Sequence, residues 1–291
     1  MVAVTHSISQ SVSALSADEL LCEGLSPDDA GRVRDALAWV QPIYDNRTLG
    51  TQEQVWQHAL GTALIAASLR LDADTRIGAL CFAVGDVLDH PNEEIATRYG
   101  DGVARLVDGL RRLNGLRVIT RMTTTASAPE IRAQSEVLRK MLLAMVEDIR
   151  VVLLRVASRT QTLRYFTDHP GRTRESIARE SLDIYAPLAN RLGIWQLKWE
   201  LEDLSFRFLE PETYKRIARM LDERRIEREQ FIVDAVNRLK REVQAIGVTA
   251  EVYGRPKHIY SIYNKMRAKR LDFSQIFDVR ALRVLVDEVK D

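Results

Sequence analysis

The sequence predicts a mainly α-helical protein that ends in the beginning of an α/β segment. Three observations carry this. From about Ser16 to Asp168 apolar residues recur at spacings of three and four, as in Leu60/Leu64/Ala67 and Leu80/Val84/Leu88, while strand-like alternation is scarce. Gly and Pro are infrequent through this stretch, as packed helices require. After Gly247 the pattern changes: Val248 to Tyr253 alternates like a strand, Ile259 to Lys269 has helical spacing, and Ile276 to Val286 again reads as a strand.

Each element has its own signal. Thr123 to Glu130 is a small-residue loop, and Ser127-Ala-Pro-Glu130 resembles a helix start with Pro in the first turn. The helix after it is expected to run from about Pro129 to Arg164. Asp168-His-Pro-Gly171 is a turn. Ser176 to Phe208 is a further helical region, in which Trp195 and Trp199 stand one turn apart and are expected to pack in the core. Pro211-Glu212 opens another helix. Asp222 to Gln244 is a highly charged helix, read as a solvated face that links two domains. The expected organisation is a disordered tail over 1–15, a helical domain over 16–210, a helical linker over 211–246 and the start of a second domain over 247–291.

Composition narrows the function classes. The chain has 291 residues, of which 46% are apolar and 29% charged, enough for two units with sizeable cores. The net charge of +1 gives no global sign of a DNA or membrane partner, so any basic site is local. Two cysteines, Cys22 and Cys81, suggest a reducing compartment, hence the cytoplasm, and no disulfide framework. No apolar run approaches the roughly 18 residues of a membrane span, and the first ten residues lack the basic and apolar regions of a secretory signal.

The local basic site lies between Gly254 and Arg270, which hold Arg255, Lys257, His258, Lys265, Arg267, Lys269 and Arg270. A strand is expected to end at Gly254, where the absence of a side chain permits close backbone approach. A helix is expected to start near His258, with its N-terminal amides facing the space of Arg255 and Lys257. Ser261, Lys265 and Lys269 fall on one face of that helix, while Ile262 and Met266 face the core. Such a cradle suits a metal-bound triphosphate, and Asp278 at the head of the next strand is a natural Mg²⁺ ligand. The spacing alone fits equally a basic surface helix that binds nothing in particular. No Walker A loop is present.

The stretch Gly254-Arg-Pro-Lys-His-Ile-Tyr-Ser-Ile-Tyr-Asn-Lys-Met266, with Phe277-Asp278, resembles the synthetase motif of the RelA/SpoT homologues, the long (p)ppGpp synthetases/hydrolases of the bacterial stringent response. Arg139 to Val151 and Tyr185 to Gly193 are also close to that family's pattern. The resemblance implies an all-helical HD-type domain followed by the truncated start of a nucleotidyltransferase-like synthetase. It implies transfer of pyrophosphate from ATP to the 3′-hydroxyl of GTP or GDP. Arg255, Lys257, Ser261, Lys265 and Arg267 would then hold ATP and Asp278 would bind Mg²⁺. The family's second metal-binding Glu, its guanine-stacking Tyr and the C-terminal domains that contact the ribosome and uncharged tRNA would lie beyond Asp291, so the chain by itself is expected to lack synthesis.

The same resemblance speaks to the helical half. An active hydrolase of this family holds Mn²⁺ with a His on one helix, an adjacent His-Asp pair on a second and an Asp on a third, and a Glu-Asp pair serves the attacking water. Here the first His is His58, the His-Asp pair reads Gly85-Asp86, the Glu-Asp pair reads Asp89-His90, and the last Asp is Ser158. The His-Asn that follows in active members reads Gln161-Thr162. Two of four ligands are gone, so the resemblance is to the RelA-type branch and the manganese site is expected to be lost. Two alternatives stand beside this. The helical domain could sense a nucleotide or dock a protein, or Asp86, Asp89 and His90, spaced for one helix face, could join His58 in a displaced manganese site.

Overall fold

The computed structural model describes residues 16–115, 148–223, 225–276 and 280–286. The expected loop at Thr123–Glu130, the start of the helix after it, and Asp278 lie outside these residues. The chain divides into two compact units, Met1–Ser205 and Phe206–Asp291.

The first unit is entirely helical among its described residues. Its elements are α1 (Ala17–Cys22), α2 (Pro27–Ile43), α3 (Val55–Ser68), α4 (Ala73–Leu80), α5 (Pro91–Tyr99), α6 (Asp101–Gly115), α7 (Ile149–Asp168), α8 (Arg174–Glu180), α9 (Ala186–Arg191) and the first part of α10 (Trp195–Leu209). Side-chain caps set several starts: Ser16 accepts from the Glu19 amide, Ser26 from Asp29, Asp72 from Thr75 and Asp148 from Arg150. Each cap satisfies one of the amides that a helix start leaves free.

On α3 the buried side chains Val55, His58, Ala59, Thr62, Ala63 and Ala66 recur at three and four and form one inward stripe. Small residues dominate it, so α4 and α7 pack closely against it. Helix α7 is the most enclosed, with Val151, Leu154, Arg155, Ala157 and Thr162 among its buried residues. The helical region expected from Ser176 to Phe208 is interrupted. A π-helical turn spans Ser181–Tyr185, and Gly193 adopts a φ of +74° between α9 and α10, a conformation that ends a helix at little cost for glycine.

Two polar anchors cross this core. The Tyr44 hydroxyl donates to the Leu80 carbonyl at 2.8 Å and accepts from the Ala83 amide at 3.2 Å. Arg76, buried on α4, donates to the carbonyls of Leu71 (2.8 Å), Leu21 (2.7 Å) and Glu23 (2.9 Å). Its guanidinium thereby satisfies carbonyls that the short helix α1 leaves open at its end.

The second unit holds the rest of α10, α11 (Pro211–Glu223), α12 (Arg225–Ala245), β1 (Ala250–Pro256), α13 (Ile259–Lys269) and β2 (Arg280–Val286). β1 and β2 pair antiparallel, with Val252 opposite Val284 and Gly254 opposite Leu282. The first strand runs on through Gly254 to Pro256 instead of ending at Gly254, because Gly254 and the two residues after it pair with Leu282, Ala281 and Arg280. The charged helix α12 packs on β1 within this unit. Trp195 departs from its expected core position: it is 45% exposed, stacked on Trp199 at 6.1 Å. It sits in the first turn of α10, ahead of that helix's buried positions Leu197 and Leu201.

Replacing Arg76 with Leu should strand buried carbonyls and lower unfolding stability by about 2–4 kcal/mol. Chemical denaturation measures this, and a change below about 1 kcal/mol would show that the carbonyls find other donors.

Candidate functional site

Helices α3 and α7 bring together the residues that matter in the first unit. His58 lies on the buried face of α3, and both of its ring nitrogens are engaged. Nδ1 is 2.8 Å from Glu53 Oε2 and Nε2 is 2.8 Å from Ser158 Oγ. The second Glu53 oxygen accepts from Gln161 Nε2 at 2.8 Å. A carboxylate only accepts, so the His58 proton sits on Nδ1 and Nε2 accepts from the Ser158 hydroxyl. Glu53, His58, Ser158 and Gln161 thus form one closed network across the two helices.

Gly61 makes that closure possible. A Cβ at Gly61 would lie 2.3 Å from Gln161 Oε1, well inside contact distance. The bare backbone of α3 leaves the space through which the Gln161 amide reaches Glu53.

A second polar group lies along α7. Arg159 is fully buried and donates to Glu180 at 2.8 Å, with its guanidinium 4.5 Å from the centre of the Tyr185 ring. Arg155 lies over the same ring at 5.4 Å. Burial pushes the Tyr185 phenol up, but the two guanidiniums outweigh it and hold the group below its ordinary range. Tyr185 is carried on the π-helical turn, a geometry that occurs often at functional sites.

The remaining positions of the expected manganese site do not converge. Gly85 and Asp86 lie in a 3-10 turn (Val84–Asp86), not on a continuous helix. Asp89 and His90 follow in irregular chain before α5, and Asp86, Asp89 and His90 are all exposed. The helix face that was to align these three is therefore not formed, because Pro91 opens a new helix at this point. The space in front of Gly85 is taken by Arg111, whose Cδ lies 3.4 Å from where a Cβ would sit. Among the described residues no group of three or more His, Cys, Asp and Glu side chains is gathered as a metal would need. Free Cys81 is buried, and burial pushes its thiol far up, so it is no ligand or nucleophile at neutral pH.

In the second unit α13 turns one side inward and one outward. Ile259 and Ile262 are buried, with Tyr263 and Met266 packed beside them. Phe206 stacks on Tyr263 at 4.4 Å and lies 5.5 Å from Tyr260 and 6.1 Å from Tyr214. This aromatic cluster with Ile217 and Leu221 fixes the rotation of α13, leaving Ser261 and Lys265 half-buried and Arg267 and Lys269 exposed. Lys257 precedes the helix and His258 is its N-cap. Nothing is described of the Arg255 side chain. Gly254 serves packing: a Cβ there would lie 1.9 Å from the Ile232 side chain of α12.

Glu53, Arg155, Arg159 and Tyr185 were not singled out by their sequence pattern. Glu53 sits five positions before His58 at a helix start, where an acidic residue is ordinarily read as a favourable end charge. Arg155 and Arg159 are four apart on an apolar stripe, which was the available signal.

Comparison with known proteins agrees with this division. A model described as "HD domain" matches residues 36–195, and one described as "Region found in RelA / SpoT proteins" matches residues 254–291. The chain belongs to the RelA/SpoT family. It is 45% identical over 227 residues to the GTP pyrophosphokinase of Escherichia coli K12, covering 78% of this chain and 30% of that protein. It is 38% identical over 262 residues to the GTP pyrophosphokinase of Myxococcus xanthus, covering 89% of this chain and 34% of that protein. It is 39% identical over 234 residues to the guanosine-3′,5′-bis(diphosphate) 3′-pyrophosphohydrolase of Haemophilus influenzae, covering 80% of this chain and 33% of that protein. The chain thus spans about a third of the length of these RelA/SpoT relatives. Among the described residues no helix is long and apolar enough to cross a membrane.

Gly61→Ala should cost about 1–3 kcal/mol by forcing Gln161 aside, and Gln161→Ala in the same chain should recover part of that loss. A double-mutant cycle of unfolding free energies checks this. Strictly additive penalties would show that the two residues do not compete for the same space.

Proposed function

We propose that residues 36–195 are an HD domain whose metal-dependent hydrolysis has lapsed, within a protein that synthesises (p)ppGpp. The observation that carries the first half is the state of His58. A metal ligand needs a free ring nitrogen, and here Glu53 and Ser158 engage both. Ser158 and Gly85 stand where active members of the family supply an Asp and a His, and neither offers a strong ligand for Mn²⁺.

The second half rests on relatives named GTP pyrophosphokinase and on the basic helix. In this reading Arg255, Lys257, Ser261, Lys265 and Arg267 hold the triphosphate of ATP, with arginine forks on phosphate oxygens and lysines as point charges. Asp278 binds Mg²⁺, whose charge offsets that of the phosphates during transfer to the 3′-hydroxyl of GTP or GDP. The chain's own part is positioning: the aromatic cluster behind α13 sets which way Ser261 and Lys265 point. Binding of the ribosome and uncharged tRNA by C-terminal domains, and a cytoplasmic location, belong to the same proposal for the whole protein. The 291-residue chain itself is proposed to do neither synthesis nor hydrolysis.

Incubated with ppGpp and Mn²⁺, the chain should release no pyrophosphate above background. Turnover that His58→Ala abolishes would overturn the lapsed-hydrolase reading. In the full-length protein Asp278→Ala should reduce synthesis to background, and unchanged synthesis would remove the Mg²⁺ assignment.

A further inference from the structure

The network around His58 contains an arrangement that a vacated metal site does not require. Glu53, His58 and Ser158 form a chain of hydrogen bonds from carboxylate to imidazole to hydroxyl, with both links at 2.8 Å. Gln161 holds the outer Glu53 oxygen and so fixes the carboxylate. The Nε2 lone pair therefore faces the Ser158 hydroxyl, the orientation in which an imidazole takes the proton of an attacking oxygen.

Ser158 also has somewhere to react. It is half-buried and lines a pocket of about 10 Å³ with Thr62, Phe82, Leu154 and Arg155. Two polar atoms of that wall lack a hydrogen-bond partner: Thr62 Oγ1 and Arg155 Nη2, on residues only 3% and 7% exposed. Leaving a buried donor unpaired costs about 1–3 kcal/mol, so two beside one hydroxyl call for an explanation. Thr62 is one turn beyond His58 on α3 and Arg155 is one turn before Ser158 on α7. They therefore sit on the helix faces that carry the base and the hydroxyl. Idle donors next to an activated oxygen are what a developing oxyanion needs.

We propose that this site performs metal-independent acyl transfer on short-chain carboxylic esters, with Ser158 as nucleophile, His58 as base, Glu53 as positioning residue and Thr62 and Arg155 as oxyanion donors. Ser158 Oγ bonds to the ester carbon while the bond to the departing alcohol breaks. The hydroxyl proton passes to His58 Nε2 and then to the departing alkoxide. Water adds to the acyl-Ser158 carbonyl, giving its proton to Nε2. The Oγ–carbon bond breaks, the acid leaves and the proton returns to Ser158. The small, largely apolar pocket restricts the acyl group to about the size of acetyl. This inference rests on the reading that His58 holds no metal.

The test is covalent labelling of the 291-residue chain with methanesulfonyl fluoride, a reagent small enough for the pocket, in the presence of EDTA. The sulfur–fluorine bond breaks, an Oγ–sulfur bond forms, and fluoride leaves with the displaced proton. Mass spectrometry should find one sulfonyl group per chain, mapped to Ser158 and absent in Ser158→Ala. Labelling should track loss of p-nitrophenyl acetate hydrolysis. Glu53→Gln should slow labelling by roughly a hundredfold or more while circular dichroism shows it folded. An unlabelled Ser158 in the folded wild-type chain would overturn the proposal even where a variant fails to fold. So would labelling at another residue, or an equal rate in folded Glu53→Gln. EDTA keeps this outcome separate from the manganese assay with ppGpp, so either reading can fail alone.

Discussion

The buried Glu53 carboxylate is the constraint around which the helical unit is arranged. A charge fully removed from water costs several kcal/mol unless its oxygens are hydrogen-bonded. Here one oxygen meets His58 and the other Gln161. Those partners sit on α3 and α7, so satisfying Glu53 fixes the spacing and register of the two helices. Gly61 follows from the same requirement, since no other residue leaves room for the Gln161 amide. Ser158 then completes the second nitrogen of His58. An ordinary apolar core would hold two helices together over many small shifts, whereas this network tolerates one arrangement.

The same logic distinguishes a lapsed site from a collapsed one. The helices retain their apolar stripes, and buried positions such as Ala59, Ala63, Leu154 and Val156 pack without reference to a metal. Loss of ligands at positions 85 and 158 therefore leaves the fold intact. At Gly85 the vacated side is covered by Arg111, and at Ser158 the shorter side chain reaches His58 directly. In the second unit the function-bearing side of α13 is set by its other side, where Phe206, Tyr260 and Tyr263 lock the helix rotation.

Much of the fold was legible because its cause is periodic. Apolar spacing identified the helices, and the change of pattern after Gly247 identified both strands and the helix between them. Caps such as Asp72 and Asp148 are short-range features of the same kind. The failures share a different cause. Asp86, Asp89 and His90 have the spacing of a helix face, but Pro91 starts a new helix there and spacing alone does not show the break. Trp195 looked like core by composition, yet it sits in the exposed first turn of α10. Gly254 suggested close approach to a ligand, and the close approach is to Ile232. Glu53, Arg155 and Tyr185 became visible only in three dimensions, because each acts on a residue from another segment.

The central claim is that Glu53 and Ser158 occupy both nitrogens of His58 and leave none for a metal. Nuclear magnetic resonance of the chain with isotope-labelled histidine tests it most directly. The account predicts that His58 carries its proton on Nδ1, and that one equivalent of Mn²⁺ leaves both of its ring-nitrogen signals unbroadened. A His58 signal selectively broadened by Mn²⁺ and restored by EDTA would contradict it.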